Sequence, residues 1–97
     1  KIQVISATEF AEEIKNEVQL VDVRTPQEYA QGKIKNAVNI DVTSSSFERS
    51  IQALDKSKPV YIYCRSGSRS RTAAQKMIEL GFTQVIDLRG GYLSWKE

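Results

Sequence analysis

The sequence predicts an α/β domain built on a mainly parallel sheet. Short β-prone runs and helical patterns alternate along the whole chain, which is the signature of strand–helix–strand units. The apolar runs are short and dense, as expected of strands covered on both faces. With 97 residues there is room for one domain and no second core. The composition, 40% hydrophobic and 27% charged, is that of an ordinary globular chain.

Each element has its own local signal. Residues 2–5 form a β-prone run, and Ser6-Ala7-Thr8-Glu9 then matches a capping box, which satisfies free amides at a helix start. Phe10, Ala11 and Ile14 share one face of that helix. Residues 18–23 are apolar except for Gln19 and Asp22 and read as a strand. Thr25-Pro26-Gln27-Glu28 is a second capping box, with proline at the first helical position, and its short helix ends near Gly32. Residues 37–40 read as a brief strand. The cluster Ser44, Ser45 and Ser46 leads into a helix carrying Phe47, Ile51 and Leu54, which Pro59 stops. Val60-Tyr61-Ile62-Tyr63 carries the strongest strand signal, being β-branched and aromatic throughout. After a polar loop, Ala73, Ala74, Met77 and Ile78 form the stripe of a helix that Gly81 closes. Residues 85–88 make a last strand, and Gly90-Gly91 precedes an aromatic tail with Tyr92 and Trp95.

Composition also excludes functions. The longest stretches without a charged residue are seven long, at 2–8 and 80–86, whereas a membrane-spanning helix needs about 17 to 25 apolar residues. No membrane association is expected. One Cys and no His rule out a Cys/His zinc site and an intramolecular disulfide within one chain, and they remove every mechanism that needs imidazole. No metal and no cofactor are expected. The net charge of +2 is unevenly spread: residues 56–71 hold five basic residues and no acid. So short a basic stretch suits a small anion, while a nucleic-acid duplex asks for a wide basic face, so no nucleic-acid partner is expected.

That basic stretch surrounds the cysteine. Tyr63-Cys64-Arg65-Ser66-Gly67-Ser68-Arg69-Ser70-Arg71 runs from the strongest strand into the strongest helix, and in open parallel sheets binding sites lie at the carboxyl ends of strands. A helix start offers unpaired amides and about half a positive charge, and small residues let the backbone curl so that several N–H groups point inward. This setting favours a thiolate, with Arg65 and Arg69 adding cationic side chains. A lone cysteine at a strand end is more often a small buried hydrophobe. A plain core position, however, has no need of one glycine, three serines and three arginines directly after it. Nor does a seven-residue tract bracketed by ordered elements read as a disordered arginine-serine segment.

Leu20-Val21-Asp22-Val23-Arg24-Thr25-Pro26-Gln27-Glu28-Tyr29, then Gly32-Lys33-Ile34 with Ala37-Val38-Asn39-Ile40, then Cys64-Arg65-Ser66-Gly67-Ser68-Arg69-Ser70, and finally Gly90-Gly91-Tyr92-Leu93-Ser94-Trp95 resemble, in order and spacing, the successive signatures of the rhodanese family. The resemblance covers nearly the whole chain, so residues 1–97 are read as one rhodanese-like domain of the single-domain, thiosulfate-using type. It implies a five-stranded parallel sheet with helices on both faces and Cys64 as the catalytic nucleophile. It further implies that the Cys64 thiolate takes the outer sulfur of an anionic donor such as thiosulfate as a persulfide, then passes it to cyanide or a thiol. Substrate-binding residues are then Arg65, Ser66, Gly67, Ser68 and Arg69: their inward amides hold the persulfide, and the two guanidinium groups orient the donor's sulfonate. Relatives that use mercaptopyruvate tend to carry glycine directly after the cysteine, so Arg65 tilts the donor toward thiosulfate or another inorganic sulfane. Where the family commonly has His-Ile-Pro-Gly, this chain has Lys33-Ile34-Lys35-Asn36, a departure that bears on local turn geometry and partner contacts.

Asp22 and Arg24 end an apolar strand, where charges are costly unless paired or exposed, and are read with Ser70 as support for the loop. Tyr61, Tyr63, Tyr92 and Trp95 are read as core, and Arg71 as a contributor to the field alone. The nearest rival function is a cysteine phosphatase or arsenate reductase of related fold. Cysteine phosphatases place an arginine after five intervening residues, which here is position 70, occupied by Ser70; Arg69 follows Cys64 after four. A third alternative is a non-catalytic binding module or sulfur carrier, with a protein as sulfur donor or acceptor. An unpaired reactive thiol favours a reducing cytoplasm, while a single cysteine is also compatible with a periplasm if a signal has been removed upstream of Lys1.

Overall fold

Val60, Tyr61, Ile62 and Tyr63 are all buried, and this strand, β4 (Val60–Tyr63), takes the centre of the sheet. The structure is a computed structural model that describes residues 1–95. β1 (Ile2–Ile5), β2 (Gln19–Asp22), β3 (Val38–Asn39) and β5 (Val85–Leu88) complete a parallel sheet in the order β1-β5-β4-β2-β3. Register places Asp22 opposite Tyr63 and Ile62 opposite Asp87. The predicted five-stranded parallel architecture is therefore present.

Both capping boxes form. Ser6 starts α1 (Ala7–Glu13) and Thr25 starts α2 (Pro26–Gln31), each hydroxyl accepting the amide three residues on while the glutamate there accepts the cap's own amide. α4 (Ser68–Glu79) is the longest helix and begins at Gly67. The helix expected over Phe47, Ile51 and Leu54 is α3 (Phe47–Ser50) followed by a 3₁₀ turn at Ile51–Ala53. Its Ser46 cap makes no side-chain hydrogen bond, and the tighter winding still buries Phe47 and Ile51. β2 and β3 are shorter than the runs 18–23 and 37–40, although Val23, Ile40 and Val42 go on hydrogen bonding past their ends.

Two apolar layers sandwich the sheet. On one face Phe47, Ile51, Ala73, Ala74 and Met77 pack on Val21, Val60, Ile62 and Val85. On the other, Phe10 of α1 meets Leu20, Tyr61, Tyr63, Ile86 and Leu88, with Tyr29, Tyr92 and Trp95 at the margin. Helices thus cover both faces. Among the described residues no helix is long and apolar enough to cross a membrane.

In the segment Lys33-Ile34-Lys35-Asn36, Asn36 adopts φ +75°, the left-handed conformation for which glycine is usual and asparagine the best-tolerated substitute. The turn closes through Ala37 N–H donating to Ile34 O at 3.1 Å. Strand order reverses about β2 and β4: the chain leaves β2 toward β3 on one side and β4 toward β5 on the other. The resulting crevice lies at the carboxyl ends of β2 and β4.

Candidate active site

Cys64 follows β4 directly and is only 1% exposed, so by burial alone it resembles a core residue. Its sulfur nevertheless turns into its own loop. The Gly67 amide donates to Sγ at 3.0 Å, and the Ser70 hydroxyl lies 3.4 Å from it. The reversal that brings the amide back needs φ +113° at Gly67, in the region where a side chain is strained. Gly67 is also the residue before the first turn of α4, so its amide heads the unpaired N–H groups that helix presents.

The sequence-predicted residues divide into three groups. Arg65, Ser66 and Ser68 are exposed around the loop, and among the described residues the Arg65 guanidinium has no hydrogen-bond or ion-pair partner. Arg69 is held in a fork, its two terminal nitrogens donating to the two Glu28 oxygens at 2.7 and 2.9 Å. Glu28 is also the capping-box residue of α2, so one carboxylate ties two helix starts together. The Arg69 fork, opposed by partial burial and aided by the Thr25 amide, draws the Glu28 carboxyl down to about 2. Ser70, fully buried, donates to Gly67 O at 3.2 Å, bonding within the loop instead of capping the helix from its first position.

Asp22 and Arg24 form the third group, buried at the end of β2. Arg24 Nε donates to both Asp22 oxygens at 2.9 and 3.0 Å, and its terminal nitrogen reaches Oδ2 and Gly32 O, each at 2.6 Å. The guanidinium lies 4.4 Å from the centre of the Tyr92 ring, which stacks with Tyr63 at 6.0 Å. Burial works against the Arg24 charge, and the hydrogen bonds and charge of Asp22 more than offset it, so its pKa rises. Neither residue is seen to contact the sulfur. They clamp the end of β2 to the segments that border the cysteine loop.

A less conspicuous contact holds that loop from the other side. The turn Gly91–Ser94 lies against it, with Tyr92 N–H donating to Cys64 O at 2.8 Å and Leu93 N–H to Arg65 O at 3.0 Å. A Cβ on Gly91 would stand 2.5 Å from Arg65 O and 2.6 Å from Cys64 O. The double glycine was legible in the sequence; its docking on the cysteine backbone was not, because 25 residues separate them and no local pattern encodes the approach. The Glu28–Arg69 fork was hidden for the same reason. Asp87 is another missed residue, buried in β5 with neither oxygen hydrogen bonded, although a lone charge in an apolar strand is the same signal that singles out Asp22.

An open pocket of about 230 Å³ lies beside the loop, bordered by Arg24, Glu28, Gly32, Arg65, Tyr92 and Leu93. A larger groove of about 890 Å³ runs along Ile14, Tyr29, Lys33, Ala37 and Trp95, away from the cysteine, and no predicted site residue lines it. Among the described residues no three cysteine or acidic side chains converge on a metal position. The arrangement sets a buried sulfur against one main-chain donor, the Gly67 amide, with the guanidinium groups of Arg65 and Arg69 in the same loop.

Comparison with known proteins agrees with the fold. The family model described as Rhodanese-like domain matches residues 6–97. A protein of Allochromatium vinosum named "Sulfurtransferase" is 40% identical over 79 residues, covering 81% of this chain and 72% of its own. "Thiosulfate sulfurtransferase GlpE" of Coxiella burnetii is 34% identical over 82 residues, covering 84% and 75%. Among solved structures, a rhodanese-like domain protein from Staphylococcus aureus superposes with a TM-score of 0.87 at 28% identity, covering 98% of this chain and 92% of that one.

Proposed function

The chain belongs to the rhodanese-like domain family, and on that premise we propose that it is a sulfurtransferase that carries sulfur on Cys64. The observation that carries the proposal is the Gly67 amide donating to Sγ at 3.0 Å at the head of α4. A neutral thiol in a core has no use for a backbone donor held in a left-handed turn; a sulfur anion does. In the proposed first half-reaction the Cys64 thiolate attacks the outer sulfur of thiosulfate, an S–S bond forms, and the S–S bond to the sulfonate breaks. Sulfite leaves with the electron pair, and Cys64 becomes a persulfide. In the second, cyanide or a thiolate attacks the terminal sulfur and the cysteine thiolate is regenerated.

Each loop residue has a role on this reading. The amides of residues 65–69 would stabilise the persulfide charge, as preorganised donors do without reorganising during the reaction. Arg65, free of partners among the described residues and bordering the pocket, would meet the donor's sulfonate. Arg69 would act from further out, since its fork is occupied by Glu28, and would contribute charge more than contact. Asp22, Arg24 and Ser70 would hold the frame.

Exposure to thiosulfate followed by intact-mass measurement tests this directly. The expected result is gain of one sulfur atom, removed by cyanide and absent in Cys64→Ala; no gain by folded protein overturns it. Turnover with thiosulfate and cyanide distinguishes an enzyme from a carrier loaded only by a partner protein. Hydrolysis of an aryl phosphate is expected to be negligible, because a loop of four residues between Cys64 and Arg69 makes a smaller ring than a tetrahedral phosphate requires.

A further inference from the structure

The groove of about 890 Å³ between α1, α2 and the Lys33–Asn36 turn takes no part in the proposed sulfur transfer. Its apolar lining is Ile14, Tyr29, Ala37 and Trp95, all of them in the Phe10 layer or packed against it. The charges around that lining have one sign. Lys15, Lys33 and Lys35 border the groove, all three exposed, and among the described residues no aspartate or glutamate does. Lys15 reaches out to Glu12 at 2.8 Å, with both side chains 70% exposed, and so exposed a pair is worth little and is given up readily. Lys33 and Lys35 have no ion-pair partner among the described residues. Like charges gathered over an apolar surface raise the local positive potential even though the chain as a whole carries only +2.

The backbone that carries these lysines is fixed. Ile34, buried between the two exposed lysines, donates its amide to the Tyr63 hydroxyl at 3.0 Å, and Ala37 N–H donates to Ile34 O at 3.1 Å. Tyr29 is held as well: its hydroxyl donates to Ala37 O at 2.6 Å, and its ring centre lies 4.9 Å from Lys33 Nζ. A ligand therefore meets groups whose backbone is already in place, which lowers the ordering cost of binding. Small-molecule sites enclose most of their ligand, whereas this groove is open to solvent along one side and suits a length of chain that needs only one face covered. Its border also meets that of the pocket beside the cysteine loop at consecutive residues, Gly32 bordering the pocket and Lys33 the groove.

We propose that this groove docks an acidic segment of a partner protein, with carboxylates on Lys33 and Lys35 and an apolar side chain against Tyr29 and Trp95. Charge complementarity selects the occupant: an acidic chain neutralises lysines that no described residue pairs, and the apolar contact supplies what screened surface charges alone do not. Three lysines around an apolar lining are too narrow a basic face for a nucleic-acid duplex. The proposal goes beyond sulfur transfer and does not involve Cys64.

The test titrates the isotope-labelled full chain with the blocked peptide Glu-Asp-Leu-Phe-Glu-Asp and follows backbone amides and the Trp95 indole by NMR. It reads binding alone, so failure of docking is separable from failure of sulfur loading. Saturable shifts are expected at residues 33–37 and at Trp95, with Kd below about 1 mM. Lys33→Glu combined with Lys35→Glu, at two exposed positions, is expected to weaken binding at least about fivefold, and so is raising the salt from about 0.05 to 0.5 M. Serine in place of the peptide's Leu and Phe should weaken binding similarly, a contrast that needs no altered protein. The proposal is overturned by the absence of saturable shifts at those residues, by unchanged binding after either alteration, or by equal binding of a peptide with lysines in place of its acids. A single-stranded oligonucleotide that produces the same shifts as tightly as the peptide also overturns it and gives the groove to nucleic acid. The same shifts appearing with protein concentration alone overturn it too, in favour of a second copy of the chain.

Discussion

Glu28 serves two structures with one carboxylate, closing the capping box of α2 and receiving the Arg69 fork from α4. Both partners are about one-quarter to one-third exposed, so solvent screens the pair and its worth is about 1 kcal/mol. Because the folded-state pKa of Glu28 is depressed, to about 2 from 4.5, its contribution is present above the unfolded value and disappears as pH falls through the folded one. Glu28→Gln should therefore lower stability by about 1 kcal/mol at pH 7, with the deficit shrinking between pH 4.5 and 2 in thermal melts; a deficit that stays constant across that window would contradict the assignment. Asp87 has the opposite sign. Its folded pKa is raised, so its proton stabilises the fold below the ordinary aspartate value of about 3.9, and stability is lost as pH rises through the folded pKa. Asp87→Asn is accordingly expected to melt above wild type at pH 7 and to lose that advantage in acid. The Asp22–Arg24 pair is buried outright, where removing one partner leaves an uncompensated charge. Arg24→Leu should cost about 3 to 5 kcal/mol by denaturant unfolding, and a cost under about 1 kcal/mol would show that the pair carries little of the frame.

At the scale of elements, the cysteine loop is held by what surrounds it. β4 delivers Cys64, Gly67 at the start of α4 supplies an amide to its sulfur, and the Gly91–Ser94 turn covers the Cys64 and Arg65 carbonyls with two amides. Gly91 has φ +63°, and any Cβ there collides with backbone, which cannot swing aside as a side chain tip can. Gly91→Ala should destabilise by more than about 2 kcal/mol and slow alkylation of Cys64 in protein that remains folded. If alkylation and stability are both unchanged, the turn does not brace the loop. Gly67 contrasts with it: the nearest atom to a Cβ there is the Gly90 amide at 3.9 Å, so Gly67→Ala makes an ordinary van der Waals contact and is strained only by φ +113°. In the Lys33–Asn36 turn, Asn36 already sits in the left-handed region, and Asn36→Gly should be neutral or stabilising by up to about 1 kcal/mol.

For the molecule as a whole, one sheet is shared by two apolar layers, so neither layer keeps its backing if the other is lost. Trp95, the single tryptophan, meets Phe10 edge-on with ring centres 6.2 Å apart and reports on one layer. Far-UV circular dichroism sums over the helices of both faces, with α4, the longest of them, on the other. The two urea transitions are expected to coincide, as in cooperative two-state unfolding; separated midpoints would mean that the layers unfold independently. The crevice between the ends of β2 and β4 exists because the strand order reverses there, and it gathers Asp22, Arg24 and Cys64 from distant parts of the chain.

The elements themselves were written locally. Capping boxes at Ser6 and Thr25, the apolar run of β4 and the stripe of α4 each depend on residues within a few positions of one another, and such signals can be read along the chain. The same is true of the cysteine in its basic, small-residue loop, because a strand, a turn and a helix start are adjacent in sequence. Chain folding alone decided which loop residues stay free. Arg69 and Arg65 look equivalent in sequence, yet Glu28, 41 residues from Arg69, claims one and leaves the other beside the pocket. Gly91 under the cysteine backbone and Asp87 beside Arg71 likewise owe their places to β5 lying next to β4, a pairing made by long-range packing that no local pattern contains.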